Sequence, residues 1–226
     1  RIRFVGKANV QMLRRDDGHW TLFDALGDTL ALASHVVFAN AMGCKTLLQS
    51  LSPDIALEHH LGPKLALLQA LHGTISSGDA VAAAHTDTPV NGSGSYVSDI
   101  PAHAGLKWFT GATFETDAYR LLDVGSQHLA NFERLQALRP EVGEALKPVF
   151  DKGDITAWTG TRCVSHDRLP LVGALESNHQ PTLWISAAMG ARGLSFSALC
   201  AQWLVANMCA EPSPLEASLA QCLNVQ

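Results

Sequence analysis

The sequence predicts a mixed α/β (α+β) chain whose two αβ-type ends enclose a strand-rich middle. Three observations predict it. Apolar residues alternate between glycine turns over the first forty positions. Small and β-branched residues, broken by Gly and Pro, dominate residues 71–116. The last third runs from a strand through a glycine turn into a long apolar segment, "LWISAAMGARGLSFSALCAQWLVANM". The expected division is one part built from 1–49 and 155–226 and a second part from 50–154.

"VQMLRRDDGHWTLFDALGDTLALASHVVFAN" reads as a β-meander, because Asp17-Gly18 and Leu26-Gly27-Asp28 are turn signals between short alternating runs. The run "HVVFAN" is continuously apolar, as expected of a strand buried on both faces. It leaves through Ala39-Asn40-Ala41 to Gly43, a strand-to-helix exit where backbone approaches a ligand closely or a strand simply ends. Residues 50–72 carry Leu and Ala at mixed spacing and point to no single element. "SQHLANFERLQALRPEVGEALKPVF" predicts a surface helix with Ser126 as N-cap. Its apolar stripe is Leu129, Phe132, Leu135 and Leu138, and Pro140 is its stop. "ITAWTGTRCVSHDRLPLVGAL" reads as strand, polar loop, strand, and "PTLWISAAMG" as a last strand before the apolar helix.

Composition narrows the class. In 226 residues, 47% are hydrophobic and 16% charged, which excludes disorder and gives enough chain for a sizeable core. A net charge of −5 argues against a domain that holds nucleic acid by bulk electrostatics, though not against an enzyme whose nucleic-acid substrate is delivered by a basic partner domain. The apolar stretch near 198–209 carries Gln202 and Asn207 and is too short to span a bilayer. Five scattered cysteines, with no C-x-x-C pair, read as reduced thiols of a cytoplasmic protein. The start at Arg1, inside a strand-like run, reads as part of a longer polypeptide.

Two stretches carry candidate chemistry. A helix N-terminus leaves backbone N–H groups without intrahelical partners and holds about half a positive charge. Gly190-Ala191-Arg192-Gly193 before such a helix therefore makes an anion or cofactor platform, or equally a glycine-eased turn between buried elements. No G-x-G-x-x-G is present, so the turn is not the dinucleotide fingerprint. In "TGTRCVSHDRLPLVG", Arg162 is a fork for a carboxylate or the partner of Asp167 in an ion pair. Gly92-Ser93-Gly94-Ser95 before Tyr96 is a loop tip or a lid carrying an aromatic ring. His59-His60 are adjacent and point apart, so no metal site is expected.

In order, "HVVFANAMG", "LHGTISSG", "GSGSYVS", "WFTGATFE", "WTGTRCVSHDRLPLVGAL" and "LWISAAMGARGLSFSALCAQWLVANMCAEPSPLE" resemble the later half of an FAD-dependent oxidoreductase of the D-amino-acid-oxidase and glycine-oxidase superfamily. Within it the likeness is to oxidase domains of bifunctional proteins that modify the wobble uridine of tRNA, and Cys163 after the arginine leans the same way. The resemblance implies a partial FAD-binding, glutathione-reductase-like domain (1–49 and 155–226) intertwined with an antiparallel-sheet substrate domain (50–154). The family's dinucleotide-binding βαβ unit, and a methyltransferase domain, would precede Arg1. By the same resemblance Gly190, Ala191, Arg192, Gly193 and Leu194 face the flavin of FAD, and Ala39 and Asn40 pass the cofactor. Arg162 and Tyr96 hold a substrate carboxylate, with Arg192 as a second cation. The implied reaction is oxidation of the carboxymethylaminomethyl group on tRNA uridine to aminomethyluridine and glyoxylate. A flavin oxidase of a small free amine such as glycine or sarcosine, and a non-catalytic recognition fragment, are the alternatives.

Overall fold

The computed structural model describes residues 2–51, 63–116, 122–176 and 181–225. The chain divides into two compact units, Arg1–Ala70 with Arg162–Gln226, and Leu71–Thr161. The boundaries lie later than the sequence suggests on both sides. Leu65 and Leu68, in and just after the short helix α2 (Pro63–Ala66), join the core of the first unit. The first residues of β9 (Thr156–Val164) belong to a sheet of the second.

In the first unit, β1 (Met12–Asp16), β2 (His19–Phe23) and β3 (Thr29–Ala33) form the expected antiparallel meander. Asp17 and Gly18, both at positive φ (47° and 79°), make its first turn, and Gly27 at φ 85° stands in its second. β4 (Val36–Phe38) leaves the meander and pairs parallel to β11 (Leu183–Ala187), which is antiparallel to β10 (Leu171–Ala174). Side chains of β10 and β11 alternate between two cores. Leu171, Leu183 and Ile185 pack with Phe38, Trp20 and the helix α1 (Gly43–Gln49). Val172 and Trp184 pack with Cys200, Trp203 and Leu204 of α5 (Gly193–Met208), against which Leu223 of α6 (Ala217–Leu223) also lies.

The strand buried on both faces is therefore β11 rather than "HVVFAN". In β4 only Phe38 is buried and Val37 is 40% exposed, because β4 is the last strand of its sheet.

In the second unit, β5 (Gln69–Asp79), β6 (Val90–Asn91), β7 (Ser95–Ala102), β8 (Gly105–Gly111) and β9 form a sheet of order β6-β7-β8-β5-β9. Gly92-Ser93-Gly94 is the tip of the β6–β7 hairpin, closed by the Gly92 N–H donating to the Gly94 carbonyl. Tyr96, Trp108, Leu135, Val142 and Leu146 form the apolar core with the helices α3 (Val124–Leu138) and α4 (Pro140–Lys152).

The N-cap of α3 is Asp123, not Ser126: its carboxylate accepts from the Ser126 N–H and O–H. The buried face of α3 is Gln127, Asn131 and Leu135, while Leu129 of the expected stripe is 57% exposed. Thr74, Ser76 and Thr113 on the adjoining sheet are buried hydroxyl residues, so the helix meets them with amides rather than leucines. Asn131 Nδ2 donates to the Thr74 carbonyl and the Ser76 hydroxyl, and Thr113 Oγ1 donates to Gln127 Oε1. Pro140 does end α3, and it serves as the first residue of α4.

Candidate functional site

The glycine turn follows directly from β11. Met189 is bridged to Val164 at the end of β9, and Gly190–Arg192 make one 3-10 turn before α5 begins at Gly193. The two glycines are there for different reasons. Gly190 sits at φ 57°, where L side chains are strained, and a Cβ there would lie 3.1 Å from Val164 Cγ1. Gly193 has ordinary helical angles, and a Cβ on it would reach only Met189 Cβ at 4.0 Å. It is open space rather than backbone geometry that a glycine leaves there. Gly190→Ala is therefore expected to cost about 1–2 kcal/mol in chemical denaturation, while Gly193→Ala, a better helix former in an open place, costs nothing measurable.

Helix α5 starts without a side-chain cap and without an acidic residue in its first turn. Its first N–H groups and its dipole are thus available to an acceptor or anion. Leu194 beside them is 99% exposed. Arg192 is held in place: its guanidinium donates to the Arg168 carbonyl at 2.6 Å and lies 4.6 Å over the Phe196 ring. These residues fit a planar, partly anionic group such as a flavin, through the open space at Gly193 and a helix end that no carboxylate occupies.

Arg162 lies near the end of β9, and burial lowers its pKa, so its charge has shed part of its water. The neighbouring Cys163 packs in the core of the first unit and has its thiol pushed up by burial. Asp167 is engaged locally: it accepts from Ser165 Oγ and the Leu169 N–H and stands 3.6 Å from Lys64 Nζ. That closes the polar loop between β9 and β10.

Tyr96 lies in the core of the second unit, 1% exposed, and its hydroxyl donates to the Ala84 carbonyl at 2.6 Å. Burial, with the charge of Asp99, pushes the phenol up to about 12. This hydroxyl ties β7 to the 3-10 turn Ala82–Ala84. Tyr96→Phe should cost about 0.5–1.5 kcal/mol of stability and leave turnover unchanged. A tenfold loss of kcat/KM at unchanged stability would instead put the hydroxyl at the substrate.

Ala39 and Asn40 border an open groove of about 370 Å³ beside β4, also lined by residues 8–10. The sequence marks Ala39 and Asn40 as a strand exit, but nothing in it places residues 8–10 beside them. The adjacent His59 and His60 lie outside the described residues. Among the described residues, no group of three or more His, Cys, Asp or Glu is placed to hold a metal, and no helix is long and apolar enough to cross a membrane.

The fold recurs in solved oxidase structures. The chain superposes on glycine oxidase from Geobacillus kaustophilus with a TM-score of 0.67 at 18% identity, over 94% of this chain and 50% of that one. Amadoriase I from Aspergillus fumigatus gives 0.64 at 13% identity, over 96% and 48%. At these identities the likeness is one of fold. The model of the family described as FAD dependent oxidoreductase (DAO) matches residues 2–207, and the chain belongs to that family. It is 38% identical over 237 aligned residues to the tRNA 5-methylaminomethyl-2-thiouridine biosynthesis bifunctional protein MnmC of Albidiferax ferrireducens, covering 100% of this chain and 38% of that protein. The protein of the same name from Polaromonas naphthalenivorans is 40% identical, over 98% of this chain and 34% of its own length. The chain thus spans little over a third of these relatives.

Proposed function

We propose that this chain forms part of an FAD-dependent oxidase acting on the CH–NH bond of an N-substituted glycine. The proposed substrate is the carboxymethylaminomethyl group on the wobble uridine of tRNA. The observation that carries the reading is the alignment, over essentially the whole chain, with relatives named for tRNA 5-methylaminomethyl-2-thiouridine biosynthesis. In this reading the unit holding the glycine turn serves the cofactor, and the unit Leu71–Thr161 serves the substrate.

Bound FAD would supply the two-electron acceptor. The residues of this chain bind and orient. The uncapped start of α5 stabilises negative charge placed against it, Gly190 and Gly193 keep side chains out of its way, and Arg162 pairs with the glycine carboxylate. The secondary amine loses two electrons and two protons across its Cα–N bond. Water then splits the resulting imine into glyoxylate and the primary amine left on the uridine. Ala39, Asn40, Ala191, Arg192 and Leu194 complete the cofactor side of the proposal, whereas Tyr96 enters it as a support of the fold. A methyltransferase domain elsewhere in the same polypeptide, and delivery of tRNA by a basic partner domain, complete the reading.

The test is a visible spectrum of the full-length protein, followed by incubation with tRNA bearing the carboxymethylaminomethyl group. Two flavin bands, released FAD and glyoxylate formed with aminomethyluridine support the reading. Turnover of glycine or sarcosine but not of the tRNA replaces it with a small-amine oxidase. A colourless protein that still binds the tRNA makes the chain a recognition module. Gly193→Ala adds a direct probe: the fold tolerates that methyl, so loss of flavin in this variant reports a ligand close to Gly193.

A further inference from the structure

We infer that Trp158 is a stacking platform for an unpaired base of the tRNA anticodon loop. The inference rests on the proposed function, which makes tRNA the substrate, and adds a residue that tells tRNA from a small free amine. Trp158 lies in the unit Leu71–Thr161, which that reading assigns to the substrate.

The strand around Trp158 sets where its ring points. Thr159 Oγ1 and Thr161 Oγ1 hydrogen-bond to Thr74 Oγ1 and His72 Nδ1 of β5, each at 2.9 Å. Thr74 and Ser76 stand on the face of β5 that meets α3, where Ser76 Oγ bonds to His128 and Asn131. Side chains alternate along β9, so Trp158 and Gly160 occupy the opposite face. Ile75, Phe109 and Val97 share that face, whereas Trp108 and Tyr96 beside them point into the core under α3 and α4. All three are partly exposed, and Trp158 is 60% exposed. The other four tryptophans, Trp20, Trp108, Trp184 and Trp203, are at most 5% exposed. An indole left in water is therefore the exception in this chain.

Gly160 explains how the ring lies. A Cβ there would fall 2.5 Å from Trp158 Cη2 and 2.9 Å from Cζ3, so the indole covers the place of the missing side chain. The ring thus rests along its own strand, one face on glycine backbone and the other turned outward. Ile75, Phe109 and Val97 add apolar surface without charge. Asp79 and Lys107, further along the same face, neutralise each other in an ion pair at 2.9 Å. A flat π surface among uncharged neighbours suits a flat, uncharged heterocycle. Loop bases are the part of an RNA that offers one, because paired bases hide their faces in the helical stack. The contact reads a base and not the phosphate backbone.

The test is binding of a fluorescently labelled, unmodified anticodon stem–loop RNA to the full-length protein, which needs neither flavin nor turnover. Trp158→Ala is expected to weaken binding about tenfold to a hundredfold, the range for losing one base–aromatic stack. Trp158→Phe should keep most of the affinity, and Trp158→Leu should resemble alanine. The slope of log Kd against log salt should be the same in all of them, because no phosphate contact is lost. Gly160 has no positive φ, so Gly160→Ala keeps the strand but pushes the ring off it. That variant should bind the RNA more weakly while melting near the wild type. Wild-type affinity in Trp158→Ala overturns the inference. So do leucine matching phenylalanine, a changed salt slope, or a wild type that binds no stem–loop. A large drop in the melting temperature of Trp158→Ala at unchanged RNA affinity also overturns it, by assigning the ring to a contact within the polypeptide. Glyoxylate formation from the modified tRNA decides the proposed function separately. Turnover with the same kcat/KM in wild type and Trp158→Ala removes the stack and keeps that function, whereas the expected binding losses without any glyoxylate keep the stack and remove the function.

Discussion

Arg162→Ala is expected to raise KM for the carboxylate-bearing substrate and to lower kcat/KM by tenfold to more than a hundredfold. That corresponds to about 1.5–3 kcal/mol, the range for a hydrogen bond to a charged group. The partial burial that lowers the arginine pKa is the physical reason for the upper part of this range. A charge pair that has already lost water gains more from its partner than one in solvent. Arg162→Lys keeps the charge and loses the planar fork, so it should fall between wild type and alanine. The diagnostic comparison uses a substrate whose carboxylate is replaced by a primary amide. The wild type should lose on that substrate about what the alanine variant loses on the acid, and the two losses should not add. Additive losses would mean that Arg162 and the carboxylate act independently, and would remove Arg162 from the site.

How far such a site is legible in the sequence depends on whether its cause is local. The meander was readable because Asp17-Gly18 and Gly27 are backbone requirements, met at positive φ in the fold. The strand–turn–helix around Gly190 was readable for the same reason, although the sequence gives its two glycines one role and the geometry gives them two. The face of α3 was not readable by hydrophobicity. Beside Leu135, its buried residues are Gln127 and Asn131, and their reason lies in the Thr74 carbonyl and the hydroxyls of Ser76 and Thr113, which stand between 14 and 57 positions earlier. Of the expected stripe, Leu135 is buried and Phe132 packs on Phe150 with ring centroids 4.6 Å apart, while at Leu129 the tertiary partner overrode the local signal. Tyr96 shows the same limit at the site: an aromatic hydroxyl after a glycine-rich tip looks available until Ala84 is found beneath it. The edge position of β4 depends on which strands pair, so "HVVFAN" could be recognised as a strand but not as the outermost one.

The largest expected effect on stability lies at Glu176, a residue with no motif around it. Its Oε2 accepts from the Thr182 N–H at 2.6 Å, the Thr182 hydroxyl at 3.0 Å and the Leu183 N–H at 2.9 Å, while Arg15 donates to Oε1 at 2.8 Å. Thr182 also receives the Trp20 indole N–H, and its carbonyl takes the Val36 N–H. One carboxylate thus fixes the start of β11 to both the meander and β4, and β11 in turn sets where the glycine turn begins. Burial works to raise the Glu176 pKa, but hydrogen bonds from Thr182 and Leu183 and the charge of Arg15 outweigh it and lower the value. The sign follows. A carboxylate with a depressed folded pKa contributes stability that is complete above the unfolded value, about 4.3, and is lost as pH falls through the folded one. Glu176→Gln turns an amide donor toward either Arg15 or the backbone N–H groups, so one set is left unpaired. The expected loss at pH 7 is about 2–3 kcal/mol, read from urea unfolding of the full-length protein. Titrating both proteins from pH 7 to pH 3 separates the ionic contribution from packing: the gap between them should close below pH 4. A gap that stays constant to pH 3 would mean that the side chain acts by shape alone, and that the anchoring of β11 does not depend on its charge.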